Sequence, residues 1–435
     1  MSGSTENKLC EQNPPLDGQD AFVESNRCLY CYDAPCIHAC PTHINIPGFI
    51  KKISTGNLTG SGRTILESNL IGATCARVCP VQELCEGACV LNSEHRPIMI
   101  GRLQRYAMDY LYEKGINVLA AAPPTGRRIA VIGAGPAGLS CAGELARRGH
   151  AVTVFEKRAL SGGLSTYGII ALREPVPVAL AEVEMIARLG VKIEEGVEIG
   201  RDVSPHWLLG RFEAVFIATG LGGSPVLGVL GEEQVIDGLD YIEKSKLNPA
   251  DLPKARAVVV IGAGNTAVDC ATIARRTGAE RVTMVYRRTE REMTAYDHEY
   301  RFVQNEGVAF EFLAQPFAVK PGALECLRAE LSDADASGRP APRPIPGSNF
   351  DIPADLVIKA IGQQKTSIAA LWGLETDRGF IKADGSLRTS VPRIYAGGDC
   401  IRAKGAASTV MAAQDGKIAA AAIHDLLTKT EAAHG

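Results

Sequence analysis

An α/β chain of two interleaved Rossmann-like dinucleotide-binding domains, preceded by a small α-helical domain built around cysteine, is what three features of this 435-residue sequence predict. Eight cysteines crowd between Cys28 and Cys89. Two strand, glycine-turn, helix, strand units follow at 129–157 and 257–288. Each unit is in turn followed by a short apolar strand ending in glycine, at 216–220 and 358–362.

Length and composition suit about three domains with ample core. The net charge of −3 and the scattered basic residues give no polyanion-binding face, so no nucleic-acid partner is expected. The first fifteen residues are polar, without the apolar stretch of a signal peptide, and no run approaches the length of a membrane span; a cytoplasmic chain with no membrane partner is the expectation.

Residues 1–20 read as a loose arm in which Cys10 is a spare thiol. A cysteine domain over 21–122 follows, with the sets Cys28-x2-Cys31-x4-Cys36-x3-Cys40-Pro41 and Cys75-x3-Cys79-Pro80-x4-Cys85-x3-Cys89. Closely spaced cysteines ending in Cys-Pro hold iron–sulfur clusters, and the last cysteine of a run commonly crosses to the other cluster. Zinc is the competing reading, since paired cysteines also build tetrahedral thiolate sites. The x4 and x3 gaps and the proline suit clusters better, and a disulfide framework does not suit so large a chain. Residues 46–70 read as short helices, and Ile100, Leu103, Ala107 and Leu111 recur at helical spacing. An Ala-Pro linker ends at Gly126, and a strand begins at Arg128.

The stretch IAVIGAGPAGLSCAGELARRGHAVTVFEK is a complete βαβ unit. Gly133 makes the tight turn, Gly135 lets a pyrophosphate approach the helix N-terminus, and Gly138 lets helix and strand pack closely. Glu156 ends the second strand as the ribose-binding carboxylate. In the second unit Gly262 and Gly264 hold the turn and Ala267 the third position, while the strand ends in Tyr286-Arg287-Arg288 with no acid. A guanidinium pair in place of the carboxylate favours a site that accepts a 2′-phosphate, unless the arginines merely sit on a solvated rim. Two such units in one chain fit FAD and a nicotinamide nucleotide meeting so that hydride passes directly between them. The FAD domain is expected over 127–243 and 365–435, with the NAD(P)H domain inserted over 244–364. The strand at 393–399 ends in Asp399, and an alanine-rich helix runs from Ser408 to Leu427. Cys141, Cys270 and Cys400 read as packing residues.

The stretches RCLYCYDAPCIHACPTH, CARVCPVQELCEGAC, PIMIGRLQRYAM, GGLSTYGI, ATGLG and YAGGDC resemble the flavin and iron–sulfur subunit of bacterial dihydropyrimidine dehydrogenases. The likeness runs from Cys28 to His424. The chain is similar too to the N-terminal half of the single-chain animal enzyme, and more distantly to the glutamate synthase small subunit. The resemblance implies two 4Fe-4S clusters, one on Cys28, Cys31, Cys36 and Gln104, the other on Cys40, Cys79, Cys85 and Cys89, with Cys75 uncoordinated. From spacing alone Cys75 is the expected eighth ligand and Gln104 an ordinary helix residue. The glutamate synthase type carries a carboxylate where this chain has Gln104.

The same resemblance puts FAD on Gly133, Gly135, Ala137, Glu156, Leu164, Arg173, Asp399 and Thr409. It puts the nicotinamide nucleotide on Gly264, Asn265, Thr266, Arg287 and Arg288, near Ala360 and Gly362. Thr294 replaces a further basic residue of the animal enzyme, and the bacterial enzymes are associated with NADH, so the expectation is NAD(P)H with a lean to NADH. The implied function is electron input: hydride from NAD(P)H to FAD, then single electrons through the clusters to a hetero-oligomeric partner subunit carrying FMN and iron–sulfur clusters, which reduces uracil or thymine. No catalytic side chain is expected in this chain. The alternatives are a glutamate-synthase-like or bifurcating reductase subunit with another acceptor, and a non-enzymatic cluster-bearing scaffold.

Overall fold

The computed structural model describes residues 11–334, 338, 340–402 and 408–432. Cys10, half of the expected arm and residues 403–407 of the loop after Asp399 lie outside the described residues. The chain forms two compact units. One comprises Asn13–Thr166, Val176–Leu221 and the chain from Lys365 onward; the other includes Tyr167–Pro175 and Gly222–Gln364.

Six helices open the first unit: α1 Gly18–Asn26, α2 Pro35–Ala39, α3 Ile46–Ser54, α4 Leu58–Ser68, α5 Gly72–Val78 and α6 Ile100–Glu113. The helix α1 starts inside the expected arm, because the Asp17 carboxylate caps it by accepting from the Asp20 N–H. The same device recurs where Asn45 caps α3 and Asn57 caps α4. On α3 the buried Ile46, Phe49, Ile50 and Ile53 lie on one face, each contributing about 1.5–3 kcal/mol by leaving water. On α6 the buried stripe Ile100, Leu103, Ala107 and Leu111 matches the sequence periodicity.

Next come β1 Arg128–Ile132, α7 Pro136–Arg147, β2 Ala151–Glu156, α8 Leu164–Tyr167, α9 Val176–Ala187, β3 Lys192–Glu195, α10 Pro205–Arg211 and β4 Ala214–Ile217. The second unit supplies β5 Ile236–Asp237, α11 Gly238–Leu247, β6 Ala257–Ile261, α12 Asn265–Arg276, β7 Arg281–Tyr286, α13 Asp297–Asn305, β8 Ala309–Phe312, β9 Ala314–Lys320, β10 Ala323–Ala334, β11 Pro340–Pro353 and β12 Leu356–Lys359. The chain then returns to the first unit with β13 Thr376–Asp377, β14 Phe380–Ile381, β15 Ile394–Ala396 and the long α14 Thr409–Ala432.

Each unit is built on a five-stranded sheet, in the orders β15-β4-β1-β2-β3 and β5-β12-β6-β7-β8. Every pairing within them is parallel. The glycine turns therefore lie at the carboxyl ends of β1 and β6, where doubly wound sheets bind ligands. A three-stranded antiparallel sheet, β11-β10-β9, completes the second unit. Its edge strand β11 carries five prolines, which an edge tolerates because their missing N–H groups are not needed for pairing.

The units divide at Gly222, not at the expected boundary between 243 and 244. The reason is β5, which pairs with β12 and so binds residues 236–247 into the second sheet. Tyr167–Pro175 also crosses over: Ile170 and Leu172 are buried in the core that α11, α12 and β6 build, and the Gln12 N–H donates to the Leu172 carbonyl at 2.7 Å.

Candidate functional site

The eight cysteines surround two separate cavities. One is walled by Cys28, Cys31, Cys36 and Cys89 with wholly apolar company, including Leu29, Ile46, Ile50 and Ile98. The other is walled by Cys40, Cys75, Cys79 and Cys85, together with Gln104, Asn69 and Gly101. Cys89 thus lines the same cavity as Cys28, Cys31 and Cys36, and Gln104 lines the same cavity as Cys40, Cys75, Cys79 and Cys85.

Local hydrogen bonds explain this placement. Glu24, buried on α1, accepts from the Met99 N–H at 2.9 Å and from Arg96 at 3.0 Å, while Arg27 donates to the Arg96 carbonyl at 2.6 Å. This staple ties the chain just before Cys28 to the chain just after Cys89. The packing of α5 on α6 sets Gln104 beside Cys75 of α5 and Cys79 at its end, where its Nε2 donates to the Gly72 carbonyl at 2.7 Å. Sequence spacing could not foresee either contact, because the partners lie 75 and 32 residues apart.

Four of these thiols, Cys28, Cys36, Cys79 and Cys85, resist ionisation. Burial and then the neighbouring Cys28 and Cys89 push Cys36 up to about 12. Burial raises Cys28 too, and raises Cys85 beside Glu86. A hydrogen bond with Cys75, followed by burial, holds Cys79 well above the usual thiol range. Crowded, buried thiols ionise together only against positive charge inside the ring, as metal supplies. Among the described residues no three His, Cys, Asp or Glu side chains lie close enough to hold a single metal ion. A buried, unpartnered donor, Asn69 Nδ2, is part of the Cys40 cavity wall and fits a sulfur-rich occupant.

At the first glycine turn Gly133 has φ +99°, and a Cβ there would stand 2.5 Å from the Ala218 carbonyl oxygen. Only glycine permits the approach of β1 to β4 at that point. A Cβ on Gly135 would meet nothing nearer than 3.8 Å, and α7 starts there with no side-chain cap, so its amide groups face open space suited to a pyrophosphate. Glu156 is buried at the end of β2, where it accepts from the Ala134 N–H at 2.8 Å and the Arg158 N–H at 2.9 Å. Asp399 is held by a buried turn: Asp415 on α14 accepts from the Gly398 N–H at 2.8 Å and from Arg402 at 2.6 Å, and burial raises the Asp399 carboxyl. Thr219 Oγ1 and Gln414 Oε1 are buried without partners in this unit. Neither was anticipated from the sequence. Leu164 starts α8 and Thr409 starts α14.

The second turn repeats the first. Gly262 has φ +135°, and its Cβ would lie 2.2 Å from the Ala360 carbonyl oxygen. The helix α12 starts uncapped after Gly264, while Asn265 accepts from the Tyr296 N–H at 3.2 Å and Thr294 N–H reaches the Ala263 carbonyl at 3.2 Å, folding 289–296 beside the turn. The arginine pair divides. Arg287 is exposed, but Arg288 is 2% exposed and its Nε donates to the Pro340 carbonyl at 2.8 Å. Arg173, expected among the flavin contacts, lies in the second unit, where its guanidinium pairs with Asp269 at 2.8 Å and Glu299 at 2.6 Å. Burial raises Asp269 in this cluster to about 6 and lowers Lys246 to about 8.

Comparison with known proteins agrees with this geometry. Residues 127–416 match the model of the pyridine nucleotide-disulphide oxidoreductase family, and residues 5–116 that of dihydropyrimidine dehydrogenase domain II, 4Fe-4S cluster. The NADP(+)-dependent formate dehydrogenase subunit beta of Moorella thermoacetica is 36% identical over 91% of this chain; the chain spans only 60% of that relative. The glutamate synthase [NADPH] small chain of Escherichia coli K12 is 34% identical over 95% of this chain and 93% of its own length. PreT of the same organism, an NAD-dependent dihydropyrimidine dehydrogenase subunit, is 32% identical over 97% and 98%. Among solved structures, Mycobacterium tuberculosis FprA in complex with NADPH matches with TM-score 0.59 at 20% identity, over 72% of this chain and 86% of its own; it shares the fold. The chain belongs to the pyridine nucleotide-disulphide oxidoreductase family, with an N-terminal domain of the 4Fe-4S type found in dihydropyrimidine dehydrogenase.

Proposed function

We propose that this chain is the electron-input subunit of a dihydropyrimidine dehydrogenase, taking reducing equivalents from NAD(P)H and passing them to a partner subunit that carries FMN and reduces uracil or thymine. When bound, FAD and two 4Fe-4S clusters supply the change from hydride transfer to single-electron transfer. The chain's own part is placement. The uncapped helix starts after Gly135 and Gly264 would bind the two pyrophosphates, and Glu156 the flavin ribose. Cys28, Cys31, Cys36 and Cys89 would hold one cluster; Cys40, Cys79, Cys85 and Gln104 would hold the other.

Gln104 carries the choice of acceptor. It faces the cavity of Cys40, Cys79 and Cys85 with an amide, where the glutamate synthase type carries a carboxylate. The second reading, a glutamate-synthase-like subunit, is favoured by a relative with 34% identity over nearly its whole length. Relatives named as subunits of formate dehydrogenase and dihydropyrimidine dehydrogenase support a hetero-oligomer.

The test is anaerobic stopped-flow reduction of the purified chain by NADH and by NADPH, followed by uracil-dependent coenzyme oxidation with and without a candidate FMN subunit. Flavin bleaching with uracil turnover only alongside the partner is the expected result. Bleaching without uracil turnover beside a competent partner would favour the second reading, and no bleaching by either coenzyme would overturn both.

A further inference from the structure

The two thiol cavities differ in one respect that the ligand sets do not explain. Around Cys28, Cys31, Cys36 and Cys89 no polar side chain among the described residues lines the wall. Around Cys40, Cys79 and Cys85 stands Asn69, fully buried, with its Oδ1 accepting from the Ile71 N–H at 3.1 Å and its Nδ2 without a partner. Thr42, also fully buried, sets its hydroxyl 3.3 Å from Cys40 Sγ. A third residue serves both. Lys417 reaches from α14 and donates to the Thr42 carbonyl at 3.0 Å and to the Ser68 carbonyl, next to Asn69, at 2.7 Å.

A buried amide donor left unpaired is destabilising, so Asn69 points to an acceptor that the protein itself does not provide. Sulfur atoms of a cluster are such acceptors, and hydrogen bonds to them stabilise the reduced, more negative state. The Lys417 ammonium adds positive charge on the same side and fixes the backbone on which both donors stand. The opposite cavity offers an apolar wall, which disfavours added negative charge.

We infer that Asn69 and Thr42 donate to the cluster held by Cys40, Cys79 and Cys85, that Lys417 positions both, and that this cluster therefore has the higher reduction potential of the two. The inference rests on the cluster-bearing reading above. It assigns the Cys40 cluster the role of resting place for the electron and the Cys28 cluster that of the harder step.

The experiment is an EPR-monitored redox titration of the full-length, cluster-loaded chain, comparing wild type with Thr42→Val, Asn69→Leu and Lys417→Met, and with Cys79→Ser to mark, by its loss, the signal of the Cys40 cluster. The expected result is that each of the three variants moves the marked signal to lower potential, with Asn69→Leu weakening reduction about tenfold, a one-electron shift of about 59 mV, while the other signal stays in place. Lys417→Arg is expected to restore the wild-type value. Unmoved midpoints in Thr42→Val and Asn69→Leu, or movement of the unmarked signal, would overturn the inference. If Asn69→Leu fails to load iron, Thr42→Val alone decides. A wild-type chain without iron and acid-labile sulfide would instead remove the cluster-bearing reading itself.

Discussion

At the scale of single residues, the arginine pair shows what burial does to a motif. Arg288 follows the strand end as a phosphate-binding residue would, but its guanidinium is enclosed and donates to the Pro340 carbonyl. Arg287 alone is open to a 2′-phosphate. Arg287→Gln is expected to lower kcat/KM for NADPH roughly fivefold with little effect on NADH, since an exposed charge pair contributes up to about 1 kcal/mol. Arg288→Gln should leave the NADPH to NADH ratio unchanged and lower Tm, at a cost of about 1–3 kcal/mol for a buried hydrogen bond; steady-state kinetics with both coenzymes and a melting curve check the pair. The cysteines divide by the same logic of place. Cys28→Ser and Cys89→Ser should each abolish one and the same EPR signal and roughly halve the iron content, because both thiols face one cavity. Loss of different signals in the two variants would contradict the pairing.

At the scale of elements, the cysteine helices are held to the flavin-type domain by charges the motifs do not contain. Glu182 on α9 accepts from the Ala73 N–H at 2.7 Å, the Thr74 N–H at 3.1 Å and the Thr74 hydroxyl at 2.5 Å, capping α5 from another domain. Glu182→Gln removes the charge from this cap and should cost about 1–3 kcal/mol, measured as a lower denaturant midpoint with early loss of visible cluster absorbance. The far half of α14 is held by a histidine pair, His150 Nε2 to His424 Nδ1 at 2.8 Å, with His150 Nδ1 2.7 Å from Thr125 Oγ1. Burial, then His424, Arg148 and Arg127, lower the His150 pKa against the opposing pull of Glu213. The folded state thus binds this proton less readily than the unfolded chain. Its contribution is intact above about pH 6.5, the ordinary histidine value, and is lost as pH falls through the lowered folded value. Wild type should lose Tm between neutral and mildly acidic pH more steeply than His150→Gln; equal slopes would contradict this role for the pair.

At the scale of the whole molecule, what the sequence reveals is local and what it hides is relational. The βαβ units were legible because glycines, strand and helix lie within about thirty consecutive residues, as Gly133 and Gly262 show in their matching left-handed turns. The partnerships of Cys89 and Gln104, the burial of Arg288 and the crossing of Tyr167–Pro175 depend on contacts between distant segments, and no spacing encodes them. Domain insertion is the clearest case. The long excursion into the second unit begins and ends at one point: the Gly222 N–H donates to the Gln364 carbonyl at 2.8 Å, and the Gln364 N–H to the Gly223 carbonyl at 2.7 Å. Two segments hydrogen-bonded there leave ends that a short linker can join. The first unit has its own five-stranded sheet and its own cores, so it should fold without the insert. Replacing residues 224–363 by a few Gly and Ser residues, with Ile170→Ser and Leu172→Ser to remove the apolar side chains that the excised core covered, should give a protein that retains flavin and iron but is no longer bleached by NADH or NADPH, while dithionite still reduces it. Absorbance spectra before and after each reductant decide the matter: loss of flavin on excision would show that the first unit does not bind it alone, and bleaching by NADH would place coenzyme binding outside the second unit.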